Sequence, residues 1–313
     1  MSGSKNERGQ ALVQTVLMLT MLLGMTALVL DVGAWFRTKR QLQATADAAA
    51  LAGAQALPDD PARSTNLAVA YANKNGGGVL AGSVSITSTN LGNDTISVDG
   101  ERTQPGFFSR VFGIDVVDIR ASAKAIVGPP AAARYVAPMV VSCKHQLIQN
   151  CNGKNIPQFN IPTTLDFDPM GAPGAFGMLN LDGGNGTPGT SEEAAWILHG
   201  FDKFLPLGMY NSDPGAKFSS QNIQGALDDR IGTELLFPVF KTLGGQGQNA
   251  QYDIIGWIGF HLTGYVAHGN NATLTGYFTQ YIAQGILAQS GGGFGGGSGA
   301  PATFGVKSIQ LIG

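Results

Sequence analysis

The chain has 313 residues, 43% of them hydrophobic and only 13% charged, with a formal net charge of −2 and 45 glycines. Without a basic footprint there is no electrostatic basis for nucleic-acid binding, and without an acidic block there is no solvated tail. The length accommodates an anchor and two modest domains, and a glycine share about twice the usual ~7% makes them loop-rich.

The first element is Ala11 to Leu30, twenty consecutive uncharged and mostly apolar residues. At about 1.5 Å per residue a helix of that length crosses the ~30 Å hydrocarbon core of a bilayer. A cleaved signal would have a shorter apolar run with an Ala-x-Ala site directly after it, whereas here Asp31, Arg37, Lys39 and Arg40 follow and the nearest such site begins at Ala44. Residues 11–30 therefore read as a retained transmembrane helix and residues 1–10 as a cytoplasmic tail. Lys5 and Arg8 on one side and Arg37, Lys39 and Arg40 on the other do not decide the topology by charge. The short tail and the few Lys and Arg beyond residue 40 place the N-terminus inside and the rest outside. No turn signal intervenes before Pro58, so residues 31–57 continue the helix as a neck, giving a rod about 75 Å long. Ala46, Ala50 and Ala54 recur at i+4 and offer a smooth face to another helix backbone.

Residues 58–127 read as a small α+β unit. A short helix over Arg63–Asn73 places Leu67, Ala70 and Tyr71 on one side, and Gly76-Gly77-Gly78 ends it. Val79–Thr89 and Thr95–Val98 form a hairpin around Gly92-Asn93-Asp94, Pro105–Phe112 a short helix, and Val116–Val127 a strand with Val117, Ile119, Ala121 and Ala123 on one face. Phe107, Phe108 and Phe112 are expected in the core. Residues 128–134, proline- and alanine-rich and uncharged until Arg134, read as a linker.

Residues 135–313 read as a β-rich α+β domain, so the fold class is α+β. A strand over Tyr135–Ser142 leads to Cys143 and Cys151, which close a small loop in an oxidising compartment and stay thiols in a reducing one. Export favours the disulfide. Leu181 to Thr187 carries alternating oxygen ligands of the kind a calcium loop uses, but it lacks the dense Asp spacing of such loops. A turn into a helix is the better reading, with Thr190 and Glu193 as a capping box and Ala194, Ile197, Leu198 and Phe201 on the apolar face. A second helix from Ser220 buries Ile223, Ala226, Leu227 and Ile231. Leu235–Phe240 suits an edge strand because it contains Pro238. In Tyr252–Val266 the residues Ile254, Ile258, Phe260, Leu262 and Val266 share a face, and Leu274, Phe278 and Ile282 continue the pattern after a turn at 269–271. Residues 291–299 are a loop before a last strand, near Val306–Ile312, that is expected to rejoin the sheet.

Two stretches carry a family resemblance. Arg8-Gly9-Gln10-Ala11 entering the apolar run, Leu30-Asp31-Val32-Gly33 leaving it, and Arg40-Gln41-Leu42-Gln43 followed by Ala46-Asp47-Ala48-Ala49-Ala50-Leu51-Ala52-Gly53-Ala54 resemble the N-terminal segment of TadE/TadG-like proteins of tight-adherence (Flp-type) pilus assembly. Phe107-Phe108-Ser109-Arg110-Val111-Phe112-Gly113 before a strand is similar to the same family. The resemblance implies a single-pass, pilin-like component of a pilus or secretion machine in the cytoplasmic membrane, without cofactor or metal. Its partners would be the lipid bilayer and other pilus-assembly or pilin-like membrane proteins. The helix-packing positions expected on this reading are Gln14, Thr20, Gly24, Asp31, Ala46, Asp47, Ala50 and Ala54. Pilin-like proteins are cut after a glycine with glutamate five residues on. Here Gly9 is followed at that distance by Gln14, so the N-terminus is expected to be retained.

No motif for catalysis stands out: there is no Gly-x-Ser-x-Gly, phosphate loop, His-Glu-x-x-His or Cys-x-x-Cys, and His145, His199, His261 and His268 lack metal-ligand spacing. The Asp-x-Ser-x-Ser signature of the metal-dependent adhesion domain in larger relatives is also missing. Two other classes compete with a structural role. A tethered envelope or glycan-binding module would use the aromatic residues Trp257, Tyr265, Tyr277 and Tyr281, and a tethered hydrolase would use Asp166, Asp168 and Asp182.

Overall fold

The computed structural model describes residues 4–152, 155–168, 170–183, 188–213, 218–245, 249–287 and 303–312. The chain forms two compact units, one built from the residues up to Ile126 together with the last residues from Leu311, the other from Val127–Gln310. The architecture is mixed α+β.

The first unit is organised on α1 (Ser4–Ala54), followed by α2 (Pro61–Lys74) and the strands β1 (Val84–Thr87), β2 (Thr95–Pro105) and β3 (Val116–Gly128). The strands form an antiparallel meander, with Val84 opposite Val98 and Thr95 to Pro105 opposite Ile126 to Val116. Asp60 starts α2 by accepting a 2.8 Å hydrogen bond from the Arg63 amide, with Pro61 at the first helical position, where its missing donor costs nothing. The second half of α1 packs on α2 and β2, and Leu42, Ala46, Ala50 and Ala54 are fully buried there.

The alanine face expected to receive a helix from another protein is therefore covered by the chain's own α2 and β2. The face of α2 that meets it is not Leu67, Ala70 and Tyr71 but Ser64, Ala68 and Ala72. Ala70 and Tyr71 are exposed. Small residues on both sides bring the backbones together: a Cβ added at Gly53 would lie 3.2 Å from the Ala68 Cβ and 2.4 Å from the Ile96 Cδ1.

Residues 105–112, expected as a helix, are the end of β2 and a short 3-10 turn at Ser109–Phe112. Two of the three aromatic residues expected in the core are exposed, Phe107 at 71% and Phe108 at 47%; the Phe112 side chain lies outside what the structure describes.

In the second unit the elements are β4 (Pro130–Ala133), β5 (Met139–Ser142), β6 (Pro162–Phe167), β7 (Ala175–Met178), α3 (Thr190–His199), β8 (Leu205–Pro206), β9 (Gly208–Asn211), α4 (Gln221–Arg230), β10 (Glu234–Gly244), β11 (Gln251–His268), β12 (Asn271–Thr279), β13 (Tyr281–Ile282), β14 (Gly285–Leu287) and β15 (Val306–Leu311). The main sheet runs β10-β5-β7-β6-β12-β11, and β11 pairs again with β10, so the hydrogen bonding closes on itself as a barrel. Strand β9 is added along the start of β11. Closure explains why β10 is not the edge strand that Pro238 suggested. It pairs with β11 on one side and β5 on the other, and Leu235 to Phe240 are buried. Phe237, Phe260 and Phe278 pack in the core with Ile223 and Leu227 of α4, the Phe237 and Phe260 rings stacked at 5.1 Å.

Other expectations are corrected locally. The linker residues 130–133 form β4, buried and paired with β14 and β8, because a charge-free run of small side chains is as suited to burial as to a tether. A register shift between Leu262 and Gly264 turns the strand over, so Val266 is exposed although Ile254 to Leu262 are buried as read. Ile282 lies in β13 and is exposed, and Ile231 is exposed beyond α4. Gly189, not Thr190, is the N-cap of α3, and Glu193 lies buried in that helix. The last strand, β15, pairs in parallel with β13 rather than with the barrel. The loop expected at 291–299 and the end of the 181–187 loop lie outside the described residues.

Candidate functional site

The candidate site is α1 and what is fastened to it. Helical hydrogen bonding satisfies the backbone of α1 internally, so its apolar first half is fit for a medium without water. The large side chains from Leu12 to Met25 are 55–69% exposed, where the core helix of a soluble protein would bury them. The polar groups in that half bond within the helix: the Thr15, Thr20 and Thr26 hydroxyls donate to the carbonyls of Ala11, Val16 and Leu22 at 2.8–2.9 Å. Gln14 is exposed, and nothing lies within 4 Å of a Cβ built on Gly24. Of the expected helix-packing positions, Gln14, Thr20 and Gly24 are open. Ala46, Ala50 and Ala54 are occupied within the unit, and Asp47 is half-buried, accepting a 2.9 Å hydrogen bond from the Gln43 amide.

Asp31, the first charge after the apolar run, is 1% exposed and belongs to neither set. Its carboxylate accepts three backbone hydrogen bonds, from the amides of Phe107 at 3.2 Å, Phe108 at 2.9 Å and Ser109 at 2.6 Å. A tight turn needs acceptors for such a cluster of donors, and a carboxylate serves all three at once. The turn is closed behind them by the Ser109 hydroxyl donating to Ile114 and the Gly106 amide to Asp115. A Cβ at Gly106 would lie 1.9 Å from the Ser109 Oγ and 2.9 Å from the Ile114 carbonyl oxygen, so a side chain there would force the turn to shift. The two stretches that separately resembled one family thus meet through a single side chain. Periodicity had no way to find this contact, which spans more than seventy residues.

Beyond Asp31 the neck is stitched to the sheet. The Thr38 hydroxyl reaches Gln104 Oε1 at 3.1 Å, Lys39 Nζ donates to the Arg120 carbonyl, Gln43 Nε2 to the Ser122 carbonyl at 2.9 Å, and the Thr45 hydroxyl to the Asn75 carbonyl at 2.7 Å. In the β1–β2 turn Asp94 plays a part like that of Asp31. Burial alone would raise its pKa, but amide hydrogen bonds from Thr89, Leu91 and Asn90 and the Thr95 hydroxyl outweigh it and hold the carboxyl below its ordinary value.

Among its described residues the second unit brings no catalytic constellation together. Among the described residues no group of three or more His, Cys, Asp or Glu is placed to hold a metal. Cys143 and Cys151 are paired as a disulfide with a Cα–Cα distance of 5.0 Å. His145 is buried in that loop edge-on to Phe278, and burial lowers its pKa. Asp166 accepts from the Thr273 hydroxyl at 2.7 Å and Asp168 from the amides of Met170 and Ala172, so both serve as structural acceptors. The aromatic surface expected for a glycan is not assembled. Trp257 is buried with its indole N–H donating to the Pro130 carbonyl, Tyr265 is tied to Gln224 and Asp228, and Tyr277 is stacked on His261 at 4.7 Å.

Residues 9–56 match the Tad family model, Flp pilus-assembly TadE/G-like. The matched segment holds the apolar half of α1, Asp31 and the neck through Ala56. No curated protein and no solved structure matches the chain. The match supports a role related to Flp pilus assembly, structural rather than catalytic.

Proposed function

We propose that this chain is a single-pass, pilin-like component of a tight-adherence pilus or secretion machine, anchored in the cytoplasmic membrane by residues 11–30, with the N-terminus inside and both folded units outside. The observation that carries the reading is the division of α1. One continuous helix leaves a run of twenty uncharged, mostly apolar residues bare and then becomes the framework of a folded unit. A bare apolar helix of that length is stable only in lipid or against other helices, and the open positions Gln14, Thr20 and Gly24 are where a neighbouring span would pack, by small-residue contact and side-chain hydrogen bonds. The two folded units then act as exported domains that meet the pilus or envelope, and the Cys143–Cys151 disulfide is at home in an oxidising compartment.

Topology tests the reading. On intact spheroplasts, after reduction, a membrane-impermeant thiol reagent is expected to label Cys151, the half-buried member of the pair. Labelling only after lysis would contradict the topology and the pilus role built on it. Gly9 is a separate matter: the exposed Gln14 offers no charge to pair with a neighbour's amine, so the chain is expected to keep its N-terminus as a fixed anchor. Intact mass of the membrane-extracted protein decides this, and a chain beginning at Gln10 would make it a processed subunit instead.

A further inference from the structure

We infer that the turn after β2, with the exposed side chains of Phe107, Phe108, Val111 and Ile114, is a second membrane contact: a foot that enters the headgroup and acyl boundary of the leaflet from which α1 emerges. The inference rests on the anchor reading above and adds a second place where this chain meets lipid.

Three observations carry it. The first is level. Asp31 directly follows the twenty-residue apolar run, so in a spanning helix it sits at the lipid–water boundary, and its carboxylate holds the amides of Phe107, Phe108 and Ser109 at 2.6–3.2 Å. The turn can rise or sink no further than those bonds allow. The second is exposure. Phe107 is 71% exposed, Phe108 47%, Val111 85% and Ile114 43%, four large apolar side chains open within eight residues, of the kind that marks a membrane or protein contact. The third is surroundings and composition. Leu28, on the side of α1 that carries Asp31, is 49% exposed, Val29 and Leu30 are exposed at the same level, and the exposed Arg110 within the turn has the length to reach lipid phosphate. Aromatic rings beside a cation at the end of a span are what the interfacial zone favours.

The occupant is lipid because Asp31 fixes the patch at the depth of lipid, beside the end of the span. Docking of another protein's helix is the competing outcome. With the helix on one side and the foot on the other of Asp31, the first unit would be held to the membrane at two points, which restricts its tilt about the end of the span.

The test uses the full chain in phosphatidylethanolamine–phosphatidylglycerol vesicles, with a spin label on a single added cysteine and the parent chain as background. The three variants are Leu22→Cys in the span, Val111→Cys in the foot and Leu80→Cys as the water-side reference. Val111 and Leu80, at 85% and 77% exposed, support no packing, so both substitutions leave the fold intact. The ratio of accessibility to oxygen over a polar nickel complex is expected to be high at Leu22, several-fold higher at Val111 than at Leu80, and low at Leu80. Leu22 in lipid with Val111 as water-exposed as Leu80 overturns the foot and leaves the anchor standing. Val111 shielded from both reagents overturns it in favour of a protein contact. A water-exposed Leu22 overturns the anchor and the foot with it.

Discussion

The two halves of α1 differ in the size of what they show. Before Asp31 the helix presents leucine, methionine and valine side chains to its surroundings, and after Asp31 it hides alanine, glycine and one leucine at Leu42 against its own α2 and β2. Large apolar side chains suit a medium of loose chains, which fills any gap, whereas small ones let two backbones approach where geometry is fixed. Side-chain size along one continuous helix therefore records which neighbour each stretch has, and Asp31 marks the change.

The largest effect is expected where the folded half is most fully packed. Ile96, fully buried against the neck at Gly53, should cost about 2–5 kcal/mol as Ile96→Ala. Leu17→Ala, at a position 65% exposed, should leave the first unit's unfolding midpoint unchanged. Denaturant unfolding of the two variants side by side checks the contrast, and equal losses would erase it. Next, Ala50→Leu forces bulk into a closed contact and should destabilise by about 1–3 kcal/mol, while Ala44→Leu on the exposed side of the same helix should not. The cross-linking of Ala50→Leu to membrane partners is then a secondary readout, since the residue supports the chain's own fold. A smaller change, about 0.5–1.5 kcal/mol, is expected for Gln43→Leu, which removes the hydrogen bond from the neck to the Ser122 carbonyl together with the one along the helix to Asp47.

The smallest is a pH effect at Asp94. Its folded pKa lies below the ordinary value, so its contribution is present above that value and is lost as the pH falls through the folded pKa. Between about pH 5 and pH 3 the parent chain should lose more stability than Asp94→Asn, as melting curves at each pH would show. Parallel curves would remove Asp94 from the account.

The long helix was legible because twenty apolar residues followed by an uninterrupted alanine-rich run have one cheap conformation. The hairpin around Asp94 and the buried faces of β3 and β11 were legible from alternation. What escaped periodicity was set by contacts distant in the sequence. The packed face of α2 is the one that fits closest to α1, not the most hydrophobic one. Phe107 and Phe108 look like core residues until Asp31 is seen holding their backbone outward of the sheet. Pro130–Ala133 looks like a tether until β14 and β8 arrive to pair with it, and Pro238 looks like an edge until the barrel closes around β10. At the site, the family match reaches the Asp31 stretch alone, and the turn that Asp31 holds lies outside it. Nothing in the local sequence of either one names a partner more than seventy residues away.

The division of α1 is tested most directly by water accessibility along it. Cysteines placed singly from Leu12 to Gln55 in the full chain, reconstituted in vesicles, would be reacted with a polar maleimide. Protection is expected throughout 12–30. Beyond Asp31 a helical alternation follows, in which Ala44, Leu51 and Gln55 react while Ala46 and Ala50 stay silent. Uniform reactivity across residues 12–30, or Ala46 and Ala50 reacting faster than Ala44 and Gln55, would contradict that division.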